Sequence, residues 1–262
     1  MFIPSIGVSC QPVLKAIIPR VVSGSLQVSR QLLQHRPTRT IISSVTATQL
    51  QTYTMAAKTI PTLHYLDIGR MGRGEVVRLF MRDAEIEFND IRHPYDATWP
   101  ATSERLKQEG ITRTGKVPAL LINGIIINQH IAILRYLARD IGRYEGETNH
   151  EKFQLDAVSD VYNDWRTQWV ANLKGVTDDY KNKFVPQYYD VIAKYYSANN
   201  GPYLLGDRIS YADFAVYQSI DNDERIGSLP SKLPEAVQKF REAFEARPNI
   251  AAYIEENRPK KA

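Results

Sequence analysis

The hydrophobic pattern of this chain changes from mixed to purely helical along its length, and this change constrains the fold most strongly. Across residues 62–139, short runs with strand composition alternate with amphipathic helical runs. From His150 onward strand patterns are absent, and the apolar residues recur at helical spacing. We therefore expect an α/β domain followed by an all-α domain.

The first region predicts the element order β-α-β-α-β-β-α. The predicted strands and helices occupy residues 62–66, 75–84, 86–91, 98–108, 117–122, 125–127 and 129–139. Asn123-Gly124 lies between the last two strands and is a strong signal for a two-residue hairpin. An order that combines a parallel crossover with a terminal hairpin is thioredoxin-like.

The stretch Gly115-Lys116-Val117-Pro118 precedes the third predicted strand. Pro118 has no N–H for a β-ladder, so it should lie where the strand begins. A cis bond would leave the backbone N–H and C=O of Val117 free for a ligand, whereas a trans bond would make an ordinary strand edge. Because cis bonds are uncommon even before proline, the sequence by itself favours trans.

The second region predicts a series of helices. One apolar helical face consists of Leu155, Val158, Tyr162, Trp165 and Trp169. Asp156, Asp160 and Asp164 follow each other at i, i+4 on a neighbouring face, a pattern typical of a solvated surface. Further helices are predicted over residues 178–198, 234–246 and 248–257. Ser210 and Asp213 have the spacing of a capping box at the start of another helix.

Composition excludes several classes of function. Lys and Arg number 33 against 29 Asp and Glu, but residues 1–57 hold five basic and no acidic residues. The remainder is close to neutral, so we expect no nucleic-acid surface. No apolar run reaches the ~18 residues of a membrane span. Cys10 is the single cysteine and the five histidines lack metal-ligand spacing, so we expect neither a disulfide within the chain nor a metal site.

Residues 1–57 differ from the rest and form a predicted leader outside the fold. They are rich in Ser and Thr, free of acids and interrupted by four prolines. One interpretation is a mitochondrial transit peptide, which would be acid-poor and contain Arg and Ser. The other is that translation begins at Met55, directly before the first strand. The second interpretation predicts a cytoplasmic protein, and the first predicts a mitochondrial one.

Several stretches, taken together, resemble the cytosolic glutathione transferases. They are Leu63-His64-Tyr65, Gly72-Arg73-Gly74-Glu75, Trp99-Pro100, Gly115-Lys116-Val117-Pro118, Asn128 to Leu137, Ser210-Tyr211-Ala212-Asp213 and Arg247-Pro248-Asn249-Ile250. The greatest similarity is to the Tyr-type sigma class, which includes the glutathione-dependent prostaglandin D synthases. The resemblance implies a thioredoxin-like, glutathione-binding domain over residues 58–141. It also implies an all-helical domain over residues 148–262, for the substrate pocket and dimerisation.

The resemblance also implies catalytic roles. The hydroxyl of Tyr65 would donate a hydrogen bond to the glutathione sulfur, and Arg73 would support the thiolate electrostatically. Trp99 would flank the glycyl end, and Lys116 would pair with a carboxylate of the tripeptide. A free thiol has a pKa of about 8.5, and lowering it by about two units requires about 2.7 kcal/mol.

The remaining implied contacts are with the cysteinyl and γ-glutamyl parts of glutathione. Val117, which precedes the family's cis-proline position at Pro118, would pair its backbone with the cysteinyl part. Gln129 would hold the γ-glutamyl group at a helix N-terminus, where backbone donors favour a carboxylate. His130 would also lie at this position, where the family usually has Ser. Asp164 matches an aspartate that reaches the γ-glutamyl amine of the partner subunit, which implies a homodimer.

Two other positions depart from the family pattern. The turn between Tyr65 and Gly72 is about two residues longer than in typical sigma members. Four residues after Trp99, where the family usually has a lysine, this chain has Ser103. Arg105 or Lys107 would then have to take the place of that lysine.

The expected function is that of a glutathione transferase, in which the thiolate attacks a small hydrophobic electrophile. One alternative is a glutathione-dependent isomerase or peroxidase that uses the same site. Another is a non-catalytic binding protein, because a fold does not determine function.

Overall fold

The computed structural model describes residues 59–257. The predictions for the leader fall outside these residues. The first part of the described chain contains four strands and three helices in the predicted order. They are β1 (Thr62–Leu66), α1 (Arg73–Asp83), β2 (Asn89–His93), α2 (Trp99–Gln108), β3 (Ala119–Ile122), β4 (Ile125–Asn128) and α3 (His130–Ile141).

The four strands form one mixed sheet in the order β2-β1-β3-β4. β1 and β2 are parallel, whereas β3 pairs antiparallel with both β1 and β4. Asn123 and Gly124 both have positive φ, at 49° and 75°, as a type I′ hairpin requires. The crossover and the hairpin predicted from the sequence are therefore both present, and the domain is thioredoxin-like.

The second strand begins later than its hydrophobicity predicted, at Asn89 instead of residue 86. The preceding residues close α1. Glu85 has a φ of 58°, and the N–H of Ile86 donates to the C=O of Met81 at 2.8 Å. Ile86 thus satisfies an otherwise unpaired carbonyl at the helix end and packs against the core.

The second part of the described chain is helical. It comprises α4 (Asn149–Ala171), a π-helical turn (Tyr180–Phe184), α5 (Val185–Tyr196), α6 (Tyr211–Arg225), α7 (Glu235–Glu245) and α8 (Pro248–Asn257). The continuous helix predicted over residues 178–198 is wrong in one respect, because its first turn is π-helical. Pro186 has no N–H for an α-helical bond at this point, which favours an altered hydrogen-bond register before it. None of the helices in the described range is long and apolar enough to cross a membrane.

The core of the helical part surrounds α6, which is buried along most of its length. The capping box predicted at its start is present. The Asp213 carboxylate accepts from both the backbone N–H and the hydroxyl of Ser210 at 2.7 Å, and the hydroxyl of Tyr196 also donates to it. Near the other end of α6, Asp223 accepts hydrogen bonds from Trp165, Tyr180, Tyr189 and Ser228. These buried carboxylates are fully hydrogen-bonded, as buried polar groups must be.

Two contacts join the C-terminal segment to α1, one near each end of that helix. Arg247, just before α8, donates to both oxygens of Asp83 at 2.7 and 2.6 Å. The hydroxyl of Tyr253 donates to Glu75 at 3.2 Å. Glu75 lies in the first turn of α1, where the helix dipole favours an acidic side chain.

Candidate active site

Tyr65 lies on β1 directly beneath the N-terminus of α1. Its side chain is buried, with 3% of the residue exposed. The phenolic oxygen accepts a hydrogen bond from the backbone N–H of Arg73 at 2.8 Å. This bond uses a lone pair of the oxygen and leaves the hydroxyl hydrogen available for another acceptor.

Two glycines allow this close approach of helix and tyrosine. A Cβ on Gly72 would lie 2.4 Å from the Tyr65 hydroxyl, and one on Gly74 would lie 2.2 Å from the ring. Gly72 also has a φ of 84° and a ψ of −175°, which side-chain-bearing residues rarely adopt. The Gly-Arg-Gly sequence is thus required by the packing of α1 against Tyr65.

The lengthened turn between Tyr65 and Gly72 is tied to the rest of the protein by Arg70. Its guanidinium lies 3.4 Å from Asp221 on α6 and 3.7 Å from Glu75 on α1. These contacts anchor the lengthened turn to α6 and α1. The turn therefore does not prevent the Tyr65 hydroxyl from contacting the N-terminus of α1.

A cavity of about 230 Å³ adjoins this N-terminus. Its lining brings together five residues that the sequence pointed to: Arg73, Lys116, Val117, Pro118 and Gln129. The Val117–Pro118 bond is cis, so the preference for trans drawn from the sequence alone is wrong. The family resemblance had implied the cis form. Neither backbone group of Val117 is hydrogen-bonded within residues 59–257, so both are available to an extended ligand.

The N-terminus of α3 forms one end of the cavity. Gln129 is its N-cap residue and has a positive φ of 71°. The Nδ2 of the preceding Asn128 is buried and makes no hydrogen bond in the described structure. A helix N-terminus with an unpaired amide donor beside it suits a carboxylate.

His130 lies behind this wall and is 4% exposed. Its ring meets Tyr162 on α4 edge to face, with the centroids 5.6 Å apart. Burial, together with the charges of Arg73 and Arg166, lowers the pKa of His130 to about 3. The ring is therefore neutral at physiological pH. Neither of its nitrogens has a hydrogen-bond partner among the described residues.

The other predicted site residues are not in the wall of this cavity. Trp99, at the start of α2, packs near His93 and Tyr95, with centroid distances of 6.5 and 6.2 Å. Asp164 is exposed on α4, and within residues 59–257 it has no hydrogen bond or ion pair. Asp156 of the same stripe is structural, because Arg135 and Tyr211 both donate to it.

The proposed substitutes for the missing lysine are engaged elsewhere. Arg105 pairs with Glu109 at 2.9 Å, and Lys107 pairs with Glu104 at 3.6 Å. Ser103 donates to the C=O of Gly115 at 2.7 Å and so supports the loop before Val117. The cavity wall instead includes Arg113, which the sequence analysis did not select.

Sequence reasoning also missed Thr114, Asn128 and Arg166. Thr114 and Asn128 flank predicted site residues and line the cavity. Arg166 is 5% exposed, and its Nε and Nη1 have no hydrogen-bond partner in the described part of the chain. The sequence could have pointed to Arg166 only through its spacing. It follows Tyr162 by four residues, so it places a charged side chain beside the apolar face of α4.

No cluster of three or more His, Cys, Asp or Glu side chains that could hold a metal ion occurs in the range 59–257.

Comparisons with known proteins agree with the order of the two domains. The family profile described as "Glutathione S-transferase, N-terminal domain" matches residues 61–139, and "Glutathione S-transferase, C-terminal domain" matches residues 163–257. Glutathione S-transferase P 10 of Caenorhabditis elegans is 30% identical over 207 residues, which cover 77% of this chain and 94% of the relative. Hematopoietic prostaglandin D synthase of Gallus gallus is 30% identical over 198 residues, covering 73% and 94%.

Among solved structures, the Pi-class glutathione S-transferase of Onchocerca volvulus superposes with a TM-score of 0.67 at 26% identity. The match covers 76% of this chain and 93% of that protein.

Proposed function

Because this chain belongs to the glutathione S-transferase family, we propose that it binds glutathione in the cavity beside α1 and transfers the glutathionyl group to an electrophile. The observation that carries the proposal is the hydrogen bond from the N–H of Arg73 to the hydroxyl of Tyr65. It holds a tyrosine O–H donor at a helix N-terminus that borders the cavity.

The lining of the cavity fits an acidic tripeptide. Lys116 and Arg113 supply positive charge for one carboxylate. The N-terminus of α3, with Gln129 and the unpaired amide of Asn128, suits the γ-glutamyl carboxylate. The free backbone N–H and C=O of Val117 offer the strand-like pairing that an extended peptide needs.

Tyr65 and Arg73 would stabilise the thiolate. The Tyr65 oxygen already accepts from the Arg73 N–H, which polarises the hydroxyl and strengthens its own donated bond. The guanidinium of Arg73 makes no salt bridge within residues 59–257, and its Nε has no hydrogen-bond partner there. Together with the helix N-terminus, these groups supply the order of stabilisation, about 2.7 kcal/mol, that lowers a thiol pKa by about two units.

The transfer forms one carbon–sulfur bond. With an aryl halide, the halide leaves with the bonding electron pair. With an α,β-unsaturated ketone, the electron pair moves to the α-carbon, which takes a proton from water. In either case the protein binds the two substrates together and keeps the sulfur deprotonated.

We propose that the active form is a homodimer. Asp164 and Phe153 both lie on α4, and the Phe153 side chain is exposed despite being apolar. An unpaired, exposed carboxylate on this helix would be available to the γ-glutamyl amine in a partner subunit. A dimer would also cover the exposed apolar surface.

Two other functions use the same site. A glutathione-dependent isomerase or peroxidase would need the same activated thiol, and one of the relatives is named a prostaglandin D synthase. A non-catalytic binding protein would not need the tyrosine hydroxyl. The hydroxyl hydrogen of Tyr65, which the bond from the Arg73 N–H leaves available, favours a catalytic role over mere binding.

The test is retention on immobilised glutathione, followed by turnover of a generic aryl halide with a protein that begins at Met55. Retention with turnover is the expected result. Retention without turnover of any halide or enone would favour an isomerase or peroxidase. A protein that is neither retained on glutathione nor active with the halide would share only its fold with the glutathione transferases.

A further inference from the structure

Arg166 is a buried cation that has no counter-charge among residues 59–257. It lies on α4 with 5% of its surface exposed, and its guanidinium carbon is 4.3 Å from the centroid of the Trp169 ring. Its Nε and Nη1 have no hydrogen-bond partner, and it forms no ion pair within the described residues. Burial of an unpaired charge is costly, so a protein retains one where a ligand supplies the opposite charge.

The surroundings of Arg166 place it at the active site. Tyr162 lies one helical turn earlier on the same face of α4, and its ring packs against His130 at the start of α3. Arg166 is also close enough to Arg73, at the N-terminus of α1, for the two positive charges to act on each other. Arg166 thus lies, with Tyr162, on the helical-domain side of the His130 ring.

Neither Arg73 nor Arg166 forms an ion pair with an acidic side chain of residues 59–257. The charges of Arg73 and Arg166 both act on the buried His130 ring. The nearest groups thus include two guanidinium groups and a buried neutral imidazole with both nitrogens unpaired. Such a set of groups attracts an anion.

The charges of glutathione do not require Arg166. Its thiolate form carries two carboxylates and the sulfur charge, against one ammonium group. The cavity lining already supplies Arg73, Arg113 and Lys116, together with the N-terminus of α3. Arg166 is not part of that lining and is contributed by α4, which belongs to the helical domain.

We propose that Arg166 binds a carboxylate of the second substrate, so that this transferase prefers acidic electrophiles. The inference rests on the proposed transferase function. A guanidinium presents a planar set of donors that matches the two oxygens of a carboxylate. Its stack on Trp169 would fix the plane of these donors.

The test compares two acceptors that differ only in charge. They are para-(carboxymethoxy)phenyl vinyl ketone and its primary amide, in which the charged group is remote from the reactive double bond. Steady-state kinetics with both are measured for the full-length protein and for Arg166→Gln, Arg166→Lys and Arg139→Gln. Arg139→Gln is the matched control, because that guanidinium pairs with Glu145 on the surface.

For Arg166→Gln we expect kcat/KM for the acid to fall about 10- to 100-fold, the equivalent of one charge-assisted hydrogen bond. The value for the amide and the KM for glutathione should stay within about twofold of the parent. Arg166→Lys should recover part of the preference for the acid, and Arg139→Gln should retain all of it.

Three results would overturn the proposal. An equal loss with acid and amide would mean that Arg166 supports the thiolate or the fold. A rise in the KM for glutathione would mean that the carboxylate is glutathione's own. No change with either acceptor would mean that the guanidinium binds no substrate.

Failure of the transferase function itself would be recognised separately. In that case the parent protein would turn over neither acceptor. Binding of the acid would then be followed by quenching of tryptophan fluorescence, since Trp169 contacts Arg166. Quenching by the acid but not by the amide, lost in Arg166→Gln, would support the anion site without catalysis, and equal quenching by both would contradict it.

Discussion

The phenolic oxygen of Tyr65 accepts a 2.8 Å hydrogen bond from the backbone N–H of Arg73, eight residues later at the first position of α1. The bond joins the strand that carries the tyrosine to the helix whose N-terminus borders the cavity. It orients the hydroxyl without using its hydrogen, and several testable consequences depend on this arrangement.

Removal of the hydroxyl should affect turnover far more than glutathione affinity. For Tyr65→Phe we expect kcat to fall about 100-fold, as for the loss of one donor to a developing anion. Glutathione binding, measured by calorimetry, should change by less than about twofold, because the peptide contacts remain. Tyr195→Phe, a half-buried tyrosine on α5, is the control. If Tyr65→Phe turned over as fast as the parent, another group would activate the thiol.

Addition of a single methyl group at Gly72 should disturb the tyrosine. Gly72→Ala places a Cβ 2.4 Å from the Tyr65 hydroxyl and forces an unfavourable backbone conformation. We expect a loss of about 1–3 kcal/mol in the free energy of unfolding, together with reduced turnover. Gly110→Ala is the matched control: its φ of +72° is similarly strained, but no atom lies within 4 Å of its Cβ. Normal turnover in Gly72→Ala would show that the close contact is not needed for activity.

His130 should make the folded protein sensitive to acid. Its pKa is lowered from 6.5 to about 3 in the folded state, so below pH 6.5 the unfolded state binds a proton that the folded state does not. Stability that is fully present above pH 6.5 is then lost as the pH falls toward 3, by up to about 1.4 kcal/mol per pH unit.

Urea unfolding across this range checks the effect of His130. His130→Gln should lose less stability than the parent on acidification, whereas the exposed His150→Gln should follow the parent curve. Identical pH dependence of the His130 variant and the parent would mean that other groups control acid unfolding.

Asp164 should act across a subunit interface. We expect the protein to sediment as a dimer, and Asp164→Asn to weaken glutathione binding about fivefold, as for one exposed charge pair, without dissociating the dimer. Asp160→Asn, one turn earlier and also exposed, should bind glutathione normally. A monomeric protein with unchanged affinity in Asp164→Asn would exclude a contribution from a partner subunit.

Much of the fold was predictable because its signals are local. Asn123-Gly124 specifies a hairpin through its φ preferences, and Ser210 with Asp213 begins α6 through hydrogen bonds between neighbours. The change from strand to helical periodicity predicted both domains in order. Two local predictions were wrong because backbone hydrogen bonding overrode the hydrophobic pattern. Ile86 closes α1 through its bond to Met81, and a π-helical turn precedes Pro186, which has no N–H to donate.

The site was less predictable. The sequence shows Tyr65 and the Gly72-Arg73-Gly74 stretch. Only the structure shows why the two glycines are needed, because α1 packs directly against the Tyr65 side chain on β1. Tertiary structure alone decided that the His130 ring is buried and neutral, and that Arg166 turns inward with no partner for its Nε and Nη1 among the described residues. The sequence by itself determined the elements and their order, since backbone preference and periodicity act between near neighbours. Burial and electrostatic environment depend on which distant side chains meet, and only the packed structure establishes them.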